Sequence, residues 1–407
     1  MTRPWMLAAL LAAGSVQSAE PAMLSPEDFS GCVAALQGTA RDRGISPRVV
    51  DEVLGTVRYL ESVIELDRRQ PEFTQPFTEY YNRRVTTERV RRGRDLLAAH
   101  RPLFDRVQNE YGVPAHYLAA FWGLETNFGS YFGNTAVPDS LATLACDPRR
   151  SRFFTEELMA ALEIIDAGDV AVGNMVGSWA GAMGHVQFMP SIFLRYALDA
   201  DGDGRRDLWG SVPDAMTSAA RFLTDLGWQP GMRWGREVRL PDGFDYALAG
   251  RDQRRPLHEW VDIGVTDAYG RPLPRAEVPA ALLVPSGHRG PAFLVYRNFD
   301  VIMGWNRSEF YALSVGRLAD EIAGAAPLQQ PPPADAARLA RDDVEALQRH
   351  LATLGYEVGP ADGIFGPATR AALSQFQRSR NLIADGHPDP DVLEAVRIAA
   401  TNGETPS

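Results

Sequence analysis

The chain has 407 residues, 45% of them hydrophobic, and a formal net charge of −11. That length and apolar share support a large core and more than one domain. An acidic chain is a poor non-specific ligand for nucleic acid, which sets that class of function aside.

Residues 1–19, MTRPWMLAALLAAGSVQSA, place one charge, Arg3, before a short apolar run and then small residues. This is the pattern of a signal peptide, with cleavage expected after Ser18 or Ala19. The run is too short to span a bilayer, and no cysteine follows the cut. A soluble, exported, periplasmic protein without a membrane or lipid anchor is expected. Amphipathic helical stretches follow near 27–65, 86–110, 115–125, 155–167, 213–226 and 308–323. Strand-like pieces are few: Glu237–Leu240, Ala281–Pro285 and Ala292–Tyr296, the last two flanking a turn at SGHRG. The class is therefore mainly α with a minor β part.

The segment APLQQPPPADAA, 326–337, reads as a semi-rigid linker that holds out a small domain at 338–400. Residues 20–325 form the large domain. In the small domain, Val344, Leu347, Leu351 and Leu354 mark one helix face, and Gly355 stops it. Pro367 can open a second helix bearing Leu373 and Phe376, and a third covers roughly 391–399. A bundle this small has little room for a catalytic pocket, so binding is its expected role. Cys32 and Cys146 show no metal-ligand spacing. They can pair in an oxidising compartment or stand as two separate thiols; the sequence leaves both open. No zinc is assigned, because the seven histidines show no paired ligand spacing. The Arg-rich run from Arg83 to Arg94 reads as a solvated helix face.

One acid stands out. In AHYLAAFWGLETNFG, Glu125 shares a helix face with Trp122, Phe121 and Leu118, three, four and seven residues earlier. Desolvation there disfavours the carboxylate, raises its pKa and makes a general acid competent near neutral pH. A glutamate on a helix flank or paired with a buried Arg is the commoner structural outcome.

The blocks around Glu125 carry a resemblance. GVPAHYLAAFWGLETNFG, GSWAGAMGHVQFMPSIFLRYALDADGDGRRDLW and NFDVIMGWNRSEFYALSVGRLADEI, in that order, resemble the B-type membrane-bound lytic murein transglycosylases. LQRHLATLGY followed by ADGIFGPATRAALSQFQ resembles the common peptidoglycan-binding domain of bacterial wall enzymes. The first resemblance implies a lysozyme-like fold, cleavage of the MurNAc-β-1,4-GlcNAc bond of peptidoglycan glycan strands, and Glu125 as the single catalytic carboxylate. It also matches Ser178, Gln187, Asn306 and Tyr311 to residues lining the sugar cleft. Trp305 and Phe222 stand where relatives carry Tyr, and Tyr81 is a weaker match. For Ser178, a turn or cap role competes with the cleft role. Core packing is the default for the aromatics.

With no second acid standing out in these blocks as a partner, Glu125 would serve first as acid and then as base, the substrate supplying its own nucleophile. The product would be a 1,6-anhydro end, and the chemistry needs no cofactor. A water-using muramidase and an inactive wall-binding scaffold are the alternatives. The loop DADGDGRRD places Asp199, Asp201 and Asp203 at positions 1, 3 and 5 of a calcium loop, with Gly204 at 6 and the Arg205 carbonyl next. Position 12 is Gly210 rather than Glu, so Asp214, matched in the family, or Asp207 would close the site around a structural Ca²⁺.

Overall fold

The computed structural model describes residues 26–69, 75–336 and 338–403. The leader lies outside them, as does Ala337 of the linker. The long N-terminal helical stretch is broken in the fold. Helix Pro26–Asp42 stops before Gly44, which takes φ +83°, and Ser46 caps a short turn that starts at Pro47. A π-helical turn, Val50–Leu54, and helix Glu61–Arg69 follow. Proline also divides the next stretch: Thr87–Ala99 ends at His100, and Arg101–Tyr111 restarts with Pro102 in its first turn. Periodicity alone does not register these breaks, which are set by Gly44, Pro47 and Pro102.

The centre of the large unit is the helix Ala115–Thr126. Leu118, Ala119, Ala120, Phe121 and Trp122 on it are at most 3% exposed. A helix apolar on every side belongs inside, and here others surround it. Thr87–Ala99 and Glu309–Ile322 pack directly on it, and Val137–Cys146 and Ser151–Asp166 pair beside it. Cys32 and Cys146 are disulfide-bonded, with Cα atoms 5.9 Å apart and a sequence separation of 114. Closing so long a loop in the unfolded chain stabilises the fold by about 4–5 kcal/mol on the loop-entropy account.

The β part is larger than the sequence pattern indicated. An antiparallel five-stranded sheet runs Arg255–Pro256, Pro279–Leu283, Ala292–Val295, Gly235–Arg239, Thr266–Asp267 in spatial order. Two of its inner strands, Pro279–Leu283 and Ala292–Val295, are apolar on both faces. Ala281, Leu283, Phe293 and Val295 face the main core; Ala280, Leu282, Ala292 and Leu294 face a second core with Phe244 and Trp260. A two-residue pair, Thr135–Ala136 with Val176–Gly177, forms a second small sheet.

The small unit has helices Arg341–Thr353, Pro367–Ser379 and Pro390–Thr401 around Leu351, Leu373, Phe376 and Val396. It is not held out. The Pro-rich segment lies along the large unit: the backbone N–H groups of Gln329 and Gln330 donate to Glu237 at 3.0 and 2.8 Å. The Thr78 hydroxyl donates to the Pro333 carbonyl at 3.0 Å. The buried Asp385 then accepts from the His288 backbone N–H at 2.8 Å and faces His288 Nδ1 at 2.7 Å. Composition predicted a spacer because proline and glutamine lack periodicity, but the carboxylate of Glu237 supplies an acceptor that fixes its path. Among the described residues, no helix is long and apolar enough to cross a membrane.

Candidate active site

Glu125 lies in the last turn of the central helix. The chain leaves that helix through three successive left-handed residues, Asn127, Phe128 and Gly129, at φ +48°, +59° and +74°. Such backbone is costly for Asn and Phe and is held by its surroundings. Phe128 N–H returns to the Trp122 carbonyl at 3.1 Å, and Gly129 N–H to Thr126 Oγ1 at 3.0 Å. The turn places Glu125 at an element end, half-buried, with the apolar body of the helix behind it.

Two donors reach its carboxyl, both from the MGWNRSEFY block. Helix Arg297–Trp305 ends on Trp305, whose indole Nε1–H donates to Glu125 Oε1 at 3.1 Å. The chain turns at Asn306, and Ser308 caps the helix Glu309–Ile322. That helix presents Tyr311, whose hydroxyl donates to the same Oε1. Oε2 takes part in neither bond. Burial pushes the Glu125 pKa up to about 7, against the two hydrogen bonds and the nearby charge of Arg84, which pull it down. The negative end of the helix dipole acts in the same direction as burial. Burial and the adjacent carboxyl push the Tyr311 hydroxyl well above its usual range, so it remains a donor.

Trp305 is held by rings: Phe121 at 4.5 Å, Phe222 at 5.2 Å and Phe188 at 5.4 Å between centroids. Phe222 therefore packs behind Trp305, itself backed by Tyr196 at 4.8 Å. Ser178 and Gln187 shape the neighbouring loop. Ser178 Oγ accepts from the N–H groups of Ala180 and Ala182 at 3.3 and 3.0 Å, a turn role, while its own proton is free to be donated. Gln187 takes the unusual φ of +48°, and its amide donates to the carbonyls of Phe132 and Gly184 at 3.2 and 3.1 Å. Asn306 is exposed and its Oδ1 accepts from Ser308 N–H at 3.2 Å.

Tyr81 does not join the Glu125 set. Its hydroxyl donates to Glu321 at 3.3 Å, beside the buried Arg317. Its neighbour Tyr80 turns the other way, onto Phe310 at 5.8 Å, with the Arg84 guanidinium 3.6 Å from its ring centroid. Adjacent residues differ by 100° around a helix, and the break before Phe77 removed the phase needed to choose between them. Arg84, four residues on from Tyr80, was legible only once that phase was known.

In the acidic loop, the carboxylates of Asp199, Asp201 and Asp203 offer oxygens within 4.8 Å of one another, all three residues being exposed. Gly202 and Gly204 take φ +80° and +90°, which lets the loop turn tightly. Asp214 is fully buried but does not fall among those oxygens. Its carboxylate accepts from the N–H groups of Ala200 and Asp207 at 2.7 and 2.9 Å, bracing the loop from beneath. Asp207 accepts from Trp209 and Gly210 N–H at 2.8 Å each and caps the loop's exit. Arg205 is exposed, and its N–H donates to Asp203 at 2.9 Å.

Residues 28–320 match the Transglycosylase SLT domain family. The chain belongs to that family. Residues 340–396 match the family described as Putative peptidoglycan binding domain. The membrane-bound lytic murein transglycosylase B of Escherichia coli K12 is 30% identical over 309 residues, 69% of this chain and 79% of that protein. SltB3 from Pseudomonas aeruginosa, solved with NAG-NAM-pentapeptide and with NAG-anhNAM-pentapeptide, is 44% identical. Each superposes with a TM-score of 0.87 over 91% of this chain and 99% of the other. The Escherichia coli lytic transglycosylase Slt35 in complex with calcium is 28% identical, with a TM-score of 0.61 over 73% of this chain and 92% of its own. This SLT-domain chain is thus an enzyme of the lytic transglycosylase class, with a mainly α, lysozyme-like fold followed by a small three-helix unit.

The position of Glu125 has a consequence for stability. Its pKa rises from the ordinary 4.5 to about 7 on folding. The stabilising preference for the proton is fully present below about pH 4.5 and is lost as pH rises through about 7. Glu125→Gln removes that dependence. In urea unfolding, its stability relative to wild type should climb by on the order of 3 kcal/mol between pH 4 and pH 8. Parallel pH profiles for the two proteins would contradict the burial account.

Proposed function

We propose that this enzyme cleaves the MurNAc-β-1,4-GlcNAc bond of peptidoglycan without water, leaving 1,6-anhydroMurNAc ends, with Glu125 as acid and then base. The observation that carries the reading is a carboxyl at a buried helix end, its pKa pushed up to about 7 by burial, held on one oxygen by two neutral donors. The groups that act most strongly on it include one cation and no second carboxylate. A two-carboxylate mechanism would require a partner acid at about 5–9 Å.

In the proposed reaction, Glu125 passes its proton to the bridging oxygen, and the bond from that oxygen to C1 breaks. The substrate's N-acetyl oxygen stabilises C1. Glu125, now a carboxylate, takes the proton from the C6 hydroxyl of the same sugar as O6 bonds to C1. The glutamic acid is regenerated. Trp305 and Tyr311 bind Oε1, so Oε2 is the oxygen that carries the proton. Hydrogen bonds strengthen when the acceptor ionises, so both donors support the intermediate more than the resting acid. Ser178, Gln187 and Asn306 are assigned to sugar binding on the loops that flank the acid. Trp305 combines a donor to Glu125 with a ring edge on the cleft, and Phe222 keeps it in place.

The division of labour follows the chain: 20–325 for catalysis and 338–400 for holding murein, after export to the periplasm and removal of residues 1–19. The relative solved with NAG-anhNAM-pentapeptide supports the anhydro product. Asp199, Asp201 and Asp203 are assigned to a structural Ca²⁺, with the Arg205 carbonyl beside them and Asp214 as brace. Three clustered carboxylates repel one another, and a hard cation relieves that. The ion would stabilise the loop and take no part in bond breaking.

Purified sacculi digested with the mature protein should release muropeptides with non-reducing anhydro ends, one water lighter than the hydrolytic products, and Glu125→Gln should release none. Reducing MurNAc ends would establish hydrolysis instead; sacculus binding without release would leave a scaffold. For the loop, millimolar CaCl₂ should raise the melting temperature of wild type by several degrees, corresponding to about 2–3 kcal/mol at a hundredfold excess over Kd. Asp201→Asn should abolish that rise. An unchanged wild-type melting temperature would remove the metal from the account.

A further inference from the structure

The sequence singled out no role for His185, a lone histidine in the GAMGHVQF block. In the fold it is 7% exposed and sits behind the end of the catalytic helix. Its Nδ1 lies 2.9 Å from Trp122 Nε1. An indole nitrogen only donates, so Nδ1 is the acceptor and carries no proton. Burial keeps the ring neutral, its pKa held down to about 4. The backbone carbonyl of His185 accepts from Thr126 Oγ1 at 2.9 Å. The Nδ1–Cε1 side of the ring lies against Gly129: a Cβ there would come within 2.2 Å of Cε1 and 2.5 Å of Nδ1. Rings of Trp122 and Phe132 stand edge-on to it at 5.3 and 4.9 Å. Its own N–H donates to Leu208 at the end of the acidic loop, at 2.8 Å.

These contacts bracket Glu125. Trp122 is three residues before it, Thr126 is the next residue, and Gly129 closes the left-handed turn after it. We propose that His185 is a positioning residue for Glu125, fixing the last helical turn through the Trp122 indole, the Thr126 hydroxyl and the Gly129 backbone. The inference rests on Glu125 being the catalytic acid. A carboxyl that must reach a bridging oxygen and then a C6 hydroxyl needs its helix end fixed, and an error of 1 Å in such placement can cost about a hundredfold in rate.

The test compares wild type with three variants, measuring kcat, KM and melting temperature on a soluble glycan substrate. His185→Phe keeps the ring but loses the acceptor. His185→Asn puts a carbonyl oxygen where Nδ1 stands. Trp122→Phe removes the same bond from the other end. His185→Phe and Trp122→Phe should lose about tenfold to a hundredfold in kcat with KM within about twofold. His185→Asn should recover to within a fewfold of wild type at a melting temperature no higher than that of His185→Phe. Wild-type kcat in His185→Phe, or in Trp122→Phe if the former does not fold, would overturn the inference. So would an Asn variant as impaired as the Phe variant. Absence of product from wild type itself would count against the transglycosylase reading, a separate failure.

Discussion

The site depends on one unfavourable placement: a carboxyl set into the apolar end of a buried helix. Every other feature near it answers the cost. Tyr311 and Trp305 satisfy one oxygen without supplying charge, so the acid is tolerated while burial still holds its pKa up to about 7. A cation paired directly with Glu125 would have stabilised the fold better and lowered the pKa. Arg84 instead stands off over Tyr80, where it moderates the shift without reversing it. Chemistry is thus favoured at the expense of stability, as expected where a functional group opposes the packing around it.

The aromatic box around Trp305 works without a phenol hydroxyl at either Trp305 or Phe222. The resemblance placed Trp305 and Phe222 where relatives carry Tyr, which raised the loss of hydroxyl contacts. Trp305 restores a donor through its indole nitrogen, reaching Glu125 itself. Phe222 has no polar atom to place and needs none, because it packs ring to ring behind Trp305. The two rings work as a pair, one donating to Glu125 and the other packed behind it.

Much of this was legible in the sequence, and the limits have physical causes. Glu125 was readable because a lone acid on an apolar helix face breaks the pattern. The three loop acids were readable because their spacing carries geometry. Tyr81, the weaker match, has its hydroxyl on Glu321 rather than on Glu125, a placement the sequence pattern does not carry. Asp214 closes the loop in the family match, and the fold sets its oxygens on the loop backbone, a placement that the spacing alone does not carry. The linker looked like a spacer because its partner, Glu237, lies about ninety residues away in sequence. That docking also gives the two units a defined relation, with His288 and Asp385 meeting across it. The small three-helix unit is therefore carried at a fixed place relative to the unit holding Glu125.

The central claim is that Glu125 keeps a substantial protonated fraction at neutral pH in the resting enzyme. Titration of its side-chain carboxyl by carbon-13 NMR, using selectively labelled glutamate and Glu125→Gln to assign the resonance, tests this directly. The account predicts a midpoint near pH 7. A midpoint in the ordinary range near 4.5 would contradict it, for the carboxyl would then be ionised at neutral pH and unable to donate the first proton.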